Sequence, residues 1–312
     1  MTASLTQTQG GAIYWLASYP KSGNTWSRAL LANYFSNSDE PADINALGGG
    51  PIASARQPFD DNIGIEASDL TQDEIERLRP AVYEAISDKI LKERAEAEAN
   101  LPKANADPDD DKPVMPPIFK VHDAFTLTPD GVPLLSKKAT AGAIYLLRNP
   151  IDVVPSFAHH SGRSIEKMVK RMAKSDAAFV SGPAGLHNQL RQWLLTWSEH
   201  VLSWVDEPGL PILVVRYEDM IADTHSALSS IIDFLEVPVD EGRIAKAVEF
   251  SAFKKLSGQE SEKRFGEMSP AADSFFRKGI VGDGYNALTP EQIDQVTADH
   301  REVMERFGYL DT

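Results

Sequence analysis

The residue types best suited to chemistry fall in four short stretches. In Tyr19-Pro20-Lys21-Ser22-Gly23-Asn24-Thr25-Trp26 a lysine, two small hydroxyls and a glycine share one tight turn. Backbone N–H groups of a turn that feeds a helix N-terminus converge on one point, where the helix dipole also favours negative charge. Lys21 adds a full charge there, Ser22 and Thr25 add hydroxyl donors, and Gly23 lets a ligand approach the backbone. Arg148-Asn149-Pro150 sets a guanidinium ahead of an N-cap and a proline at the first helical position, with Ser156 two turns further on. Arg277-Lys278-Gly279 combines a bidentate donor, a point charge and a backbone N–H that can come close to an oxyanion. Lys120-Val121-His122 supplies another cation and an imidazole, two residues apart and so on one side of a strand. Together these residues suit capture of an oxyanion beside a proton acceptor, since an unperturbed histidine has a pKa of about 6.5.

The elements that must hold them alternate strand and helix. Apolar runs at residues 13–17, 143–147 and 212–216 read as buried strands, and Trp26, Ala29, Leu30, Asn33 and Tyr34 recur at helical spacing. Strands alternating with helices imply an α/β fold with a central parallel sheet, helices on both faces, and ligands beyond the strand C-termini. Lys21, His122, Arg148 and Tyr217 all fall at such ends. A strand-turn-helix with no ligand would account for the first segment's fold, but it calls for no lysine inside the turn. The order also departs from the nucleotide P-loop, in which lysine follows the second glycine, whereas Lys21 precedes Gly23.

The octapeptide at residues 19–26, YPKSGNTW, resembles the YPKSGTTW signature of sulfotransferases that use 3'-phosphoadenosine 5'-phosphosulfate (PAPS), with Asn24 in place of threonine. Residues 148–156 resemble that family's RNP-x-DV-x-x-S element, and the resemblance implies that Arg148 and Ser156 bind the 3'-phosphate. Residues 274–284 resemble its FxRKGxxGDW stretch, which implies that Phe276, Arg277, Lys278 and Gly279 close over the same phosphate; Gly284 stands where the family usually has tryptophan. Tyr217 opens a YEDM string and Ser251-Ala252-Phe253 is similar to a TSF segment, which implies that Tyr217, Ser251 and Phe253 adjoin the nucleoside. By the same likeness Lys21, Ser22, Gly23, Asn24, Thr25 and Trp26 form the P-loop-like phosphate cradle. Lys120-Val121-His122 looks like the family's K-T-H element. It implies His122 as general base, Lys21 stabilising the leaving oxygen and Lys120 holding the transferring group. Sulfuryl transfer would run in line through a loose transition state, by analogy with phosphoryl transfer.

The implied co-substrate is PAPS and the implied product 3'-phosphoadenosine 5'-phosphate (PAP), with no metal. The acceptor would be a small-molecule alcohol, phenol or amine. Residues 286–291 lack the family's lysine-led dimer motif, which leaves monomer and homodimer both open. Two other classes remain: a nucleotide-dependent kinase, with Asp219 at its magnesium site, and a binding protein without turnover.

Composition narrows the field. The 312 residues carry 31 Lys and Arg against 46 Asp and Glu, a formal charge of −15. Such acidity, without a basic stripe, disfavours nucleic acid and anionic membranes as partners. There is no cysteine, no H-E-x-x-H, and the Asp109-Asp110-Asp111 run lacks calcium-loop spacing, so no metal site is expected. No secretory leader and no 18-residue apolar run is evident, and the expectation is a cytoplasmic protein of one domain over residues 1–312, with 1–11 flexible. Three stretches, 37–68, 101–117 and 257–273, read as loops or lids. Leu190, Trp193, Leu194, Trp197, Val201 and Trp204 mark one long helix, Thr71 to Glu74 a capping box, and Pro80 the start of a separate helix running to about Ala99. Thr289-Pro290-Glu291-Gln292 opens the last helix, with Val296, Val303 and Phe307 as its buried side. Phe59, Phe125, Phe157, His159 and Phe265 are candidate pocket walls, with core or surface placement the default for each.

Overall fold

The computed structural model describes residues 10–48, 50–100, 113–180, 187–207 and 209–310. The chain opens with β1 (Ile13–Ser18) and α1 (Asn24–Ser36), passes through α2 (Arg56–Ile63) and the long α3 (Gln72–Asn100), and returns to the sheet as β2 (Ile118–Val121). After β3 (Thr140–Leu147) come α4 (Pro150–Ser161), α5 (Ile165–Met172), the short β4 (Ala178–Phe179) and β5 (Gln192–Trp193), α6 (Trp197–Val205) and β6 (Ile212–Arg216). The remainder is helical: α7 (Tyr217–Ala222), α8 (Thr224–Phe234), α9 (Glu241–Phe250), α10 (Phe253–Lys263), α11 (Asp283–Ala287) and α12 (Pro290–Arg306).

Four strands pair in the order β2-β1-β3-β6, all parallel. Successive strand side chains point to opposite faces, so the apolar runs are buried on both. Trp15 and Ala17 of β1, with Tyr145 and Leu147 of β3, pack against Phe157 of α4, Met168 of α5, Trp197 and Trp204 of α6 and Val296 of α12. Leu16, Ile144 and Leu146 face the other way, against Leu30 and Tyr34 of α1, Leu228 and Ile231 of α8, and Ile244 of α9. Each large aliphatic side chain among them contributes about 1.5–3 kcal/mol by leaving water. From β1 the chain crosses to β2 on one side, and β3 lies on the other, so the crevice beyond the β1 and β3 C-termini is a topological switch point.

Several local expectations are corrected. No new helix starts at Pro80, which lies inside α3. A mid-helix proline removes one N–H and crowds the preceding turn; here bonds at Glu76, Arg79 and Tyr83 to distant parts of the chain hold both flanking turns. The stripe at 190–204 is not one helix either. Trp193 lies in β5, paired with Ala178, Leu195 takes a left-handed φ of 56°, and α6 starts only at Trp197, behind a Thr196–Glu199 capping box. The 37–68 stretch contains α2 and a 3₁₀ turn at Ala67–Asp69, and the start of 257–273 belongs to α10. Residues 101–112, like most of the 1–11 segment, lie outside the described residues. The Thr71–Glu74 and Thr289–Gln292 capping boxes and the Asn149 N-cap form as the sequence implies.

Candidate cofactor and transfer site

The turn after β1 is shaped by two left-handed residues. Gly23 has φ 102°, and a Cβ there would lie 2.9 Å from the Tyr217 ring, so both conformation and space call for glycine. Lys21 adopts φ 72° without that licence, a cost of roughly 1–3 kcal/mol that the surrounding structure must offset. Asn24 donates through Nδ2 to the Leu16 carbonyl (3.0 Å) and to Ser18 Oγ (3.3 Å), bracing the turn on the strand it leaves. Trp26 bonds the Ser251 carbonyl through Nε1 (3.0 Å) and meets Tyr217 edge to face, while Asn33 reaches Ser251 Oγ (3.0 Å). Arg148 lies with its guanidinium 4.2 Å from the Tyr217 ring centroid and donates to the carbonyls of Lys21 (3.2 Å) and Ile280 (3.1 Å).

The 275–284 loop is fixed by two carboxylates. Glu260 accepts from the N–H groups of Phe275 and Phe276, and Asp152 from those of Gly282 (2.8 Å) and Gly284 (2.7 Å). Any Cβ at Gly284 would lie 2.1 Å from the Ile151 carbonyl oxygen, so the backbone packing there admits only glycine. At Gly279, with φ 64°, a Cβ would fall 2.3 Å from the Phe253 ring. Arg277 and Lys278 both pair with Asp283.

At the end of β2, His122 Nδ1 lies 2.9 Å from the Ser18 carbonyl and 3.2 Å from Ser18 Oγ. A carbonyl only accepts, so Nδ1 carries the proton and Nε2 keeps its lone pair. Burial, reinforced by the nearby Lys120 charge, pushes the ring's pKa down to about 3, so the imidazole is neutral at physiological pH. Lys21 Nζ stands 3.7 Å from the Phe275 ring centroid, and burial followed by the charges of Lys120 and Arg148 lowers its pKa to about 7. Lys120 Nζ bonds Glu267 Oε2 (2.7 Å), and the other oxygen of that carboxylate takes Arg28 (2.5 Å). Burial alone would raise the Glu267 pKa; Lys120 and Arg28 outweigh it and hold the group at about 2.

One cleft of about 1000 Å³ takes in every residue singled out in the sequence for catalysis or cofactor binding except Ser22. Ser22 is buried, and among the described residues its hydroxyl and the Arg148 Nε, like Asn24 Oδ1 in the same turn, find no hydrogen-bond partner. Orphaned donors at the mouth of a glycine turn, with Lys21 and Arg148 alongside, fit a phosphorylated nucleotide. The pocket-wall candidates fall elsewhere: Phe59, Phe125, Phe157 and Phe265 are core side chains, and His159 bonds the Ser274 carbonyl (3.0 Å). Its neighbour His160 lines the cleft instead. Asp219 does not line it; its side chain is 63% exposed and pairs with Arg216. Sequence reasoning missed Glu267, Glu260 and Gln192, none of which sits in a recognisable motif, and it gave Asp152 and Asp283 no role although both lie inside the motifs it used.

A parallel sheet covered on both faces, with an anion cradle at its switch point, defines an α/β nucleotide-binding protein. The family model described as the sulfotransferase domain matches residues 13–308, and the chain belongs to that family. Over 210 residues it is 28% identical to amine sulfotransferase from Oryctolagus cuniculus, a match covering 62% of each chain, and so spans less than two thirds of that relative. It is 27% identical over 292 residues to Cytosolic sulfotransferase 1 from Arabidopsis thaliana, covering 90% of this chain and 75% of that one. Among solved structures, mouse sulfotransferase SULT7A1 complexed with PAP shares the fold, with a TM-score of 0.53 and 20% identity over 94% of this chain and 85% of that one. Among the described residues no helix is long and apolar enough to cross a membrane.

Proposed function

We propose that the protein transfers the sulfuryl group of PAPS to a hydroxyl or amine of a small-molecule acceptor and releases PAP. The observation that carries this reading is the cleft itself. It brings a glycine turn with Lys21 and Arg148 together with a neutral imidazole that binds Ser18 through Nδ1, whose Nε2 has no hydrogen-bond partner among the described residues, and beside which Lys120 also lines the cleft.

Bound PAPS supplies an activated sulfuryl group on a good leaving phosphate. Arg148, Ser156, Arg277, Lys278 and the Gly279 N–H hold the 3'-phosphate, while the 22–25 turn and Lys21 hold the 5'-phosphate. Trp26, Tyr217, Ser251 and Phe253 surround the nucleoside. His122 Nε2 takes the proton of the acceptor as it attacks, Lys120 steadies the moving group, and Lys21 stabilises charge on the departing oxygen. Alcohol, phenol and amine acceptors are all within this chemistry, and the rabbit relative is named for an amine. The cytosolic name of the plant relative supports a cytoplasmic setting.

The test is a screen of alcohol, phenol and amine acceptors with PAPS as donor, read by PAP release and by the sulfated product. Turnover should survive EDTA. Phosphoryl transfer from ATP with none from PAPS would overturn the proposal.

A further inference from the structure

Directly after His122 comes Asp123, whose side chain is 0% exposed and meets Arg79 of α3, itself 1% exposed. Every N–H of the Arg79 guanidinium is engaged. Nη1 donates to Asp123 Oδ1 (3.2 Å) and to the Arg191 carbonyl (2.8 Å), Nη2 to Asp123 Oδ2 (2.8 Å) and Tyr83 Oη (2.8 Å), and Nε to Tyr83 Oη (3.0 Å). Tyr83 passes its own proton to the Ala53 carbonyl (2.8 Å), and Asp123 Oδ1 also accepts from the Trp193 N–H (3.1 Å). The Asp123 carbonyl takes the Trp204 indole N–H (3.0 Å), and His200 Nε2 reaches the carbonyl of His122 (3.1 Å).

A buried ion pair is a poor device for stability alone, because desolvating two charges cancels much of their attraction. Its rigid, bidentate geometry is well suited to setting distances. Here the distances have a pattern. Ala53 follows Ile52, Asp123 follows His122, and Arg191 and Trp193 flank Gln192; Ile52, His122 and Gln192 all line the cleft. One guanidinium, directly at Asp123 and Arg191 and through Tyr83 at Ala53, thus holds the chain neighbours of three cleft-lining residues from three separate parts of the chain. None of its bonds goes to Lys21, Arg148 or the 275–284 loop, which form the nucleotide grip.

We propose that Arg79 and Asp123 are positioning residues that set His122 and the adjoining acceptor walls for transfer, while leaving nucleotide binding to the other side of the cleft. This rests on the sulfotransferase reading given above. A shift of about 1 Å at the base can cost on the order of 10²-fold in rate.

The experiment compares the wild type with the volume-matched double variant Arg79→Met/Asp123→Leu and the milder Asp123→Asn, which keeps an oxygen for Arg79 and Trp193. PAP affinity is measured by calorimetry, steady-state turnover with PAPS as the varied substrate, and the His122 ring nitrogens by NMR. The double variant should lose about thirtyfold or more in kcat, with PAP affinity and the KM for PAPS within about threefold. Asp123→Asn should fall between it and the wild type. In the wild type His122 should show a single Nδ1–H tautomer, which becomes a mixture in the variants. A folded double variant with kcat within about threefold of wild type, or PAP affinity falling in step with kcat, overturns the proposal. If the double variant does not fold, Asp123→Asn with wild-type turnover and an unchanged His122 spectrum does the same. If the wild type transfers no sulfuryl group, the functional reading fails, and the His122 spectrum alone decides whether the pair positions the ring.

Discussion

The cleft holds two kinds of cation. Lys120, Arg277 and Lys278 are paired with carboxylates of the protein itself, Glu267 for the first and Asp283 for the other two. Among the described residues, Lys21 and Arg148 pair with none: Lys21 rests on the Phe275 ring, and Arg148 meets two carbonyls and the Tyr217 ring. The unpaired cations lie in or beside the strand-end turns of β1 and β3, where the backbone holds them without a counter-ion. They meet an incoming anion without first breaking an ion pair within the protein. The paired ones must exchange partners first, so each contributes only the difference between ligand and internal carboxylate. Anion binding should therefore depend most on Lys21 and Arg148, while turnover depends on a residue that carries no charge at all.

That last point gives the largest expected effect. His122→Ala should lower kcat by about 10²–10⁴-fold, the usual contribution of a general base, with PAP affinity nearly intact. Single-turnover kinetics and a PAP titration check it; a parallel loss of both would move His122 into the grip rather than the chemistry.

Arg148→Ala should come next. In the proposed assignment it loses charge-assisted bonds to the 3'-phosphate, an expected cost of about 1.5–3 kcal/mol, or roughly 10–150-fold in affinity for PAPS. Adenosine phosphosulfate, which lacks that phosphate, should lose far less. Competition binding with the two nucleotides measures the contrast, and equal losses would remove the distinction drawn for Arg148.

Lys21 sharpens the comparison through pH. Its pKa of about 7 is low because burial and neighbouring cations oppose the charged form. A bound phosphosulfate favours that form and raises the value. Between the free and bound values the protein takes up a proton as the nucleotide binds. Affinity should thus be flat below pH 7 and decline above it, by up to about tenfold per unit. Calorimetry at pH 8 in buffers of different ionisation heat should show proton uptake, and Lys21→Arg should abolish it.

The cations of the cleft were legible in the sequence, whereas the carboxylate that pairs with Lys120 was not. Lys21 and Arg148 stand in strand-to-helix turns, and Arg277 and Lys278 in the short loop before α11, so each motif is built from neighbours in sequence. The sheet could be read for the same reason, since runs such as Ile144 to Leu147 are apolar on both faces. Glu267, by contrast, meets Lys120 and Arg28 across 147 and 239 residues, and no local pattern marks such a meeting. Arg79 was hidden for a related reason. Pro80 reads as a helix boundary, yet the bonds that carry α3 through it come from Trp193, Ala53 and Asp123, contacts that only the folded chain supplies. Leu195 shows the converse case, where a left-handed turn interrupts an apolar spacing that by itself suggests a continuous helix.

The smallest effect tests the pairing directly. Glu267 lines the cleft and occupies Lys120, the cation that the proposed reaction assigns to the transferring group. PAPS brings a sulfonate to that place and PAP does not. Glu267→Gln removes the internal competitor's charge, so PAPS should bind more tightly while PAP hardly changes. The Glu267 side chain is 36% exposed, and a screened pair of this kind is worth about 0.2–1 kcal/mol, so the gain should be no more than about fivefold. It should shrink with added salt, because screening weakens the same attraction in the wild type. Tighter binding of both nucleotides alike would mean that Glu267 acts through the general field of the cleft. Weaker PAPS binding would mean that it holds Lys120 in place for the sulfonate, and the line between paired and unpaired cations would then have to be redrawn with Lys120 among the preorganised ones.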